Sequence, residues 1–222
     1  KSSFLQSASL PVCAFIEFEV LVFLAPLPQV GDSQTASCPP SKSLMKIQFK
    51  PKLKILPAIQ KKIWSKSHQI PKDFVLYGGT AIALQLGHRQ YVDFDFFTSE
   101  DFNPDDLLRS LKFLANADVL QLEKNTLTVT LRAPAPVKIS FFGGLDFGTL
   151  QVPLNLPNQV RMASLTDLFG HKLKTILQRV EAKDYRDIAA LIESGLKLEI
   201  GLSAALGLFG KSFPPMECIK AL

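Results

Sequence analysis

Cysteine, histidine and methionine occur three times each in this chain and tryptophan once, which leaves little material for several common chemistries. Cys13, Cys38 and Cys218 are odd in number and widely scattered. They exclude a disulfide framework, and no two have zinc-ligand spacing. They read as inert thiols in a reducing cytoplasm. His68 and His171 show no metal-ligand spacing, and no third member of a triad accompanies His88. Disorder is excluded by composition, since 47% of residues are hydrophobic and 20% charged.

A membrane span is the next absence. The one extended apolar run, Leu10 to Leu27, carries Glu17 and Glu19 at its middle and is bracketed by Pro11, Pro26 and Pro28. Each charge at a helix centre costs about 2.5–3.5 kcal/mol on insertion. The run is also short of a comfortable span, and no small-residue cleavage site follows a charged segment as in a signal peptide. It reads as one or two strands of a soluble segment, with no membrane partner. Residues 31–43 are rich in Ser, Pro and Thr and read as a linker. Met45 opens a stretch resembling an ordinary protein start, so residues 1–44 are expected to be an extension outside the functional domain. Residues 45–162 are then an α/β core and 163–222 a helical region.

What is present begins with a net charge of +5, which favours polyanionic partners such as nucleotides or RNA and says nothing of fold. Apolar spacing predicts an amphipathic helix over residues 57–69, a strand over 73–77, a helix over 80–86 stopped by Gly87, and a strand over 91–97. A helix over 103–115 follows, with Pro104 in its first turn. Residues 119–123 and 126–132 predict a hairpin, and 137–142 and 159–162 two further strands. Ser164 with Asp167 has a capping-box pattern, and Leu165, Leu168, Phe169, Leu173, Ile176 and Leu177 follow with helical spacing; further helices are expected over 184–193 and 202–209. The class is α+β: a small mixed sheet flanked by helices, with a C-terminal helical lobe.

Two constellations carry chemistry. In Asp93-Phe94-Asp95-Phe96, residues two apart on a strand share a face, so both carboxylates point one way while the phenylalanines pack behind. Two carboxylates on one rigid face suit Mg²⁺, which takes its remaining ligands from water and substrate phosphates. The bland alternative is a solvated acidic face. Gly78-Gly79-Thr80 joins a strand to a helix, where glycine permits close approach and free N–H groups meet an anion; Thr80 adds a hydroxyl. Alone, this is an ordinary turn. Within Gly78 to Asp95, the two together place a phosphate cradle beside metal ligands. Arg89 is suited either to phosphate or to a structural pair with Asp93.

These residues, Gly78-Gly79-Thr80-Ala81, Leu86-Gly87-His88-Arg89 and Asp93-Phe94-Asp95-Phe96-Phe97-Thr98, resemble the signature of the polymerase-β-like nucleotidyltransferases. More narrowly, they are similar to the AbiEii-type toxins of type IV toxin–antitoxin systems. The resemblance continues through Lys172, Arg179 and Lys183-Asp184-Tyr185-Arg186-Asp187, and covers roughly Phe74 to Ile192. It implies a nucleotidyltransferase fold that binds an NTP, uses Mg²⁺ at Asp93 and Asp95, and transfers a nucleotide, in known members to tRNA. It further implies catalytic roles for Lys172 and Asp184, nucleotide contacts from Gly78, Gly79, Thr80, Arg89 and Lys183, and an antitoxin partner.

One departure stands out. The family usually places a third carboxylate on the strand after the acidic pair, and Ser140 occupies that position. Either Asp184 or another acid supplies the base, or the site binds nucleotide with little turnover, as a catalytically inactive nucleotide- or RNA-binding module. An interaction protein with a merely structural acidic strand is the third alternative. As one helix, Lys172 to Asp187 would span roughly 22 Å at 1.5 Å per residue, too far for one triphosphate. A break near Glu181-Ala182-Lys183 is therefore expected.

Overall fold

The computed structural model describes residues 49–91, 93–132 and 135–222. The expected strands and linker of the first 44 residues lie outside them. Among the described residues, seven α-helices, α1 (Ala58–Lys66), α2 (Gly78–Leu86), α3 (Pro104–Ser110), α4 (Leu165–Ile176), α5 (Ala182–Glu193), α6 (Leu198–Phe209) and α7 (Pro215–Ala221), accompany one sheet. Its strands are β1 (Val75–Tyr77), β2 (Phe94–Phe97), β3 (Asp118–Glu123), β4 (Thr126–Leu131), β5 (Val137–Phe142), β6 (Leu154–Asn155) and β7 (Arg161–Met162). They are ordered β3-β4-β5-β2-β1-β7-β6. β1 runs antiparallel to β2, β2 parallel to β5, and β1 parallel to β7, so the sheet is mixed.

Strand alternation gives this sheet two unlike faces. Leu76, Phe94, Phe96, Ile139, Phe141, Leu127 and Val129 are buried on one. There Phe96 stacks on Phe141 at 5.3 Å and Phe94 on Trp64 of α1 at 6.3 Å. Tyr77, Asp95 and Ser140 fall in register on the other, since Tyr77 pairs with Asp95 and Asp95 with Ser140. The same strands thus build a core with one set of residues and a cleft floor with the other.

α4 and α5 cover the edge of that floor. Ser164 caps α4, its hydroxyl accepting from the Asp167 N–H at 3.0 Å. α4 ends at Ile176 and α5 begins at Ala182, with Glu181 as its N-cap, so the break falls where the reach argument requires. The differences from expectation are local. α2 starts at Gly78 rather than Thr80, and Asp93 lies just ahead of β2 rather than within it. β6 and α7 carry too weak a pattern, two residues and seven, to be read in advance.

Candidate active site

A cleft of about 770 Å³ opens between the polar face of the sheet and α4. This is within the size range of small-molecule sites. Asp93 and Asp95 line it together with Gly78, Gly79, Lys138, Ser140, Lys172, Arg179 and Lys183.

The two glycines are there because nothing larger fits. Gly78 has φ of +71°, and a Cβ on it would lie 2.8 Å from Asp95 Oδ2. A Cβ on Gly79 would sit 1.7 Å from the Tyr91 ring. The start of α2 is thereby brought against the acidic pair. Its N-cap residue, Tyr77, makes no side-chain cap, so the first N–H groups of the helix remain for an anion in the cleft. Thr80 does not join them. It is buried at 2% exposure and its hydroxyl donates to the Asp93 backbone carbonyl, outside the cleft lining. Its part is to hold Asp93 in place.

Burial pushes the Asp95 carboxyl above its ordinary range, opposed by Lys138, by the Ser140 hydroxyl and by Lys172, while Asp93 raises it further. A cation among these groups is therefore favourable. Lys138 is one residue that sequence reasoning missed; alternation along Val137-Lys138-Ile139-Ser140 puts it on the face of Ser140, and that was the available signal. Among the described residues no cluster of three or more His, Cys, Asp or Glu side chains is placed to hold a metal. Among those residues the acidic pair has no third carboxylate beside it on the sheet, and Asp146 is a further acid of the cleft lining.

Lys172 is buried at the cleft wall, with Nζ 2.6 Å from Asp184 Oδ1 and 2.7 Å from Asp187 Oδ2. Asp184 departs from the expected role of base. It is fully buried, does not line the cleft, and is also bound by Arg179 Nε at 3.0 Å. Burial raises its carboxyl, but hydrogen bonds from Lys172 and Arg179 outweigh this and leave it below the ordinary range. A carboxylate so stabilised as an anion is a poor base. It positions Lys172 and Arg179, both of which reach the cleft.

Asp187 is the second residue missed as a site component, although its place in the Lys-Asp-x-x-Asp run was visible. It accepts from Arg89 Nε at 2.8 Å, from the Tyr91 hydroxyl and from Lys172, and lies 2.9 Å from His88 Nε2. Burial again raises the carboxyl, and the His88, Lys172 and Arg89 interactions bring it below the ordinary range. Arg89 is accordingly occupied. Besides Asp187 it donates to the Lys183 carbonyl at 3.3 Å and lies 3.5 Å over the Tyr91 ring, away from the cleft lining and from Asp93. Lys183 is on the cleft rim, paired with Glu181 at 2.6 Å.

Comparison with known proteins bears on the fold and the family. An uncharacterized protein of Aquifex aeolicus, aq_aa25, is 34% identical over 122 residues, covering 54% of this chain, and the chain spans 57% of that relative's length. JHP933 from Helicobacter pylori superposes with a TM-score of 0.51 at 15% identity, over 73% of this chain and 86% of that one. A further H. pylori structure, provisionally described as a nucleotidyltransferase, gives 0.50 at 17% identity, over 73% and 88%. At such identities these two show the fold alone. The family model for the nucleotidyl transferase AbiEii toxin of type IV toxin–antitoxin systems matches residues 66–214. With Gly78-Gly79, the acidic pair and the Lys172 network all inside that match, the chain belongs to the AbiEii nucleotidyl transferase toxin family.

Proposed function

We propose that the chain is a Mg²⁺-dependent nucleotidyltransferase that moves NMP from an NTP to an RNA acceptor, tRNA by family resemblance. It would act in the cytoplasm as a toxin held in check by an antitoxin. The observation that carries this reading is the convergence of Asp93, Asp95 and the uncapped start of α2 in one cleft. Two carboxylates fit Mg²⁺, whose remaining positions are filled by phosphates and water. Held by Asp93 and Asp95, such an ion would supply neutralisation of the pyrophosphate leaving group and activation of the acceptor hydroxyl. The chain's own groups do the rest. Gly78 and Gly79 present N–H donors to the phosphates, and Lys138, Lys172, Arg179 and Lys183 supply positive charge along the cleft. Asp187 and Asp184 keep Lys172 fixed from behind.

Ser140 supports a second reading. It lies in register with Asp95, where an acid would complete the set, and it is no anionic ligand. An inactive nucleotide- or RNA-binding module would need only the cradle and the cations. Incubation with each radiolabelled NTP, Mg²⁺ and bulk tRNA separates the two: label in RNA supports transfer, whereas nucleotide binding by calorimetry without label leaves the binding module.

A further inference from the structure

The transfer chemistry occupies one end of the cleft; the other end is aromatic. Tyr77, Phe97, Phe147, His171 and Phe209 line it. The His171 ring lies 4.5 Å from Phe147, 4.8 Å from Tyr77 and 5.0 Å from Phe209, and Tyr77 stacks on Phe97 at 5.1 Å. This wall adjoins the acidic pair. Tyr77 faces Asp95 directly across the β1–β2 ladder. Phe97 is two residues beyond Asp95 on the same face, roughly 7 Å along the strand.

Two buried polar atoms in this wall have no hydrogen-bond partner, the Tyr77 hydroxyl and His171 Nε2. Tyr77 itself is only 2% exposed. Phenylalanine at both positions would pack as well and leave nothing unpaired. Buried polar groups are normally satisfied, so two such groups side by side in a cleft call for a ligand.

We propose that this wall is a nucleobase subsite, in which a base stacks on the aromatic rings while the Tyr77 hydroxyl and His171 Nε2 bind its edge and set base preference. The proposal rests on the reading of the cleft as an NTP site. Every base has a π-face, so stacking gives affinity without selectivity. Hydrogen bonds to a polar edge give selectivity, because the wrong edge leaves both protein groups unpaired. Burial lowers the His171 pKa to about 4, so its ring is neutral at pH 7, with one nitrogen donating and the other accepting. A neutral imidazole and a hydroxyl together match a mixed donor–acceptor edge. The base belongs either to the NTP or to the terminal nucleotide of an RNA acceptor.

Calorimetry on the full chain with Mg²⁺ tests this, using the four NTPs, inorganic tripolyphosphate and a short single-stranded RNA. Wild type is expected to prefer one NTP over at least one other by about tenfold or more. Tyr77→Phe, which keeps the ring, is expected to weaken the preferred NTP by roughly tenfold and to leave tripolyphosphate unchanged. A loss confined to the RNA arm keeps the subsite and assigns it to the acceptor. Unchanged affinity for every base-bearing ligand in a folded Tyr77→Phe variant overturns the subsite. Failure of wild type to bind both tripolyphosphate and NTP overturns the NTP-site reading, and the subsite with it.

Discussion

Asp187 gathers more polar contacts than Asp93 or Asp95, although it does not itself line the cleft. Arg89, Tyr91, His88 and Lys172 all converge on it, and it is fully buried. Removing one partner from a buried ionic network typically costs about 3–5 kcal/mol, because the others are left uncompensated. Asp187→Ala is therefore expected to lose stability on that scale in urea unfolding, with a similar loss of activity through a displaced Lys172. A second expectation concerns pH. Since the folded-state pKa of His171 falls to about 4, the unfolded chain takes up its proton first as pH drops below about 6.5. Stability is then full above that value and declines toward pH 4, by roughly 2 kcal/mol between pH 7 and pH 5. Urea midpoints at those two pH values check this, and His171→Gln should remove most of the slope. Asp184 and Asp187 act lower. Their depressed pKa values stabilise the fold above the ordinary carboxylate range, and that contribution is lost only as pH falls below about 3.9 through the folded values.

At the scale of elements, the strand register decides what the cleft contains. The parallel pairing of β2 with β5 sets Ser140 beside Asp95, and β4 places Thr128 beyond it, so no acid follows the pair across the sheet. Ser140→Asp would supply one at that register. The expectation is a gain in kcat of about tenfold or more if the missing ligand limits turnover, measured by steady-state nucleotide transfer; an unchanged kcat would place the limit elsewhere. Much of this was legible in the sequence. Alternation in Asp93-Phe94-Asp95-Phe96 separated core from cleft, Pro104 and Ser164 marked helix starts, and the reach argument located the break before α5. What was not legible depends on distant partners. Nothing local to Thr80 says that its hydroxyl is taken by the Asp93 carbonyl. Nothing local to Arg89 says that an aspartate 98 positions later will hold it. Asp184 looked like a base until burial and two cations showed it to be a fixed anion.

For the whole molecule, core and site are two products of one sheet. Among the described residues a hydrophobic cluster runs from Leu56 through the strands to Cys218, joining the sheet to the C-terminal helices. Among the described residues no helix is long and apolar enough to cross a membrane. The proposed transfer depends on the carboxylates of Asp93 and Asp95, and a variant that removes one charge examines that dependence. Purified wild type and Asp95→Asn are compared for Mg²⁺-dependent incorporation of radiolabelled NMP into bulk tRNA, with each NTP in turn. Asparagine keeps the shape and removes the charge, so a folded variant with at least 100-fold less incorporation is expected. Wild-type incorporation by Asp95→Asn, or by the wild-type chain with all divalent metal chelated, would contradict the claim.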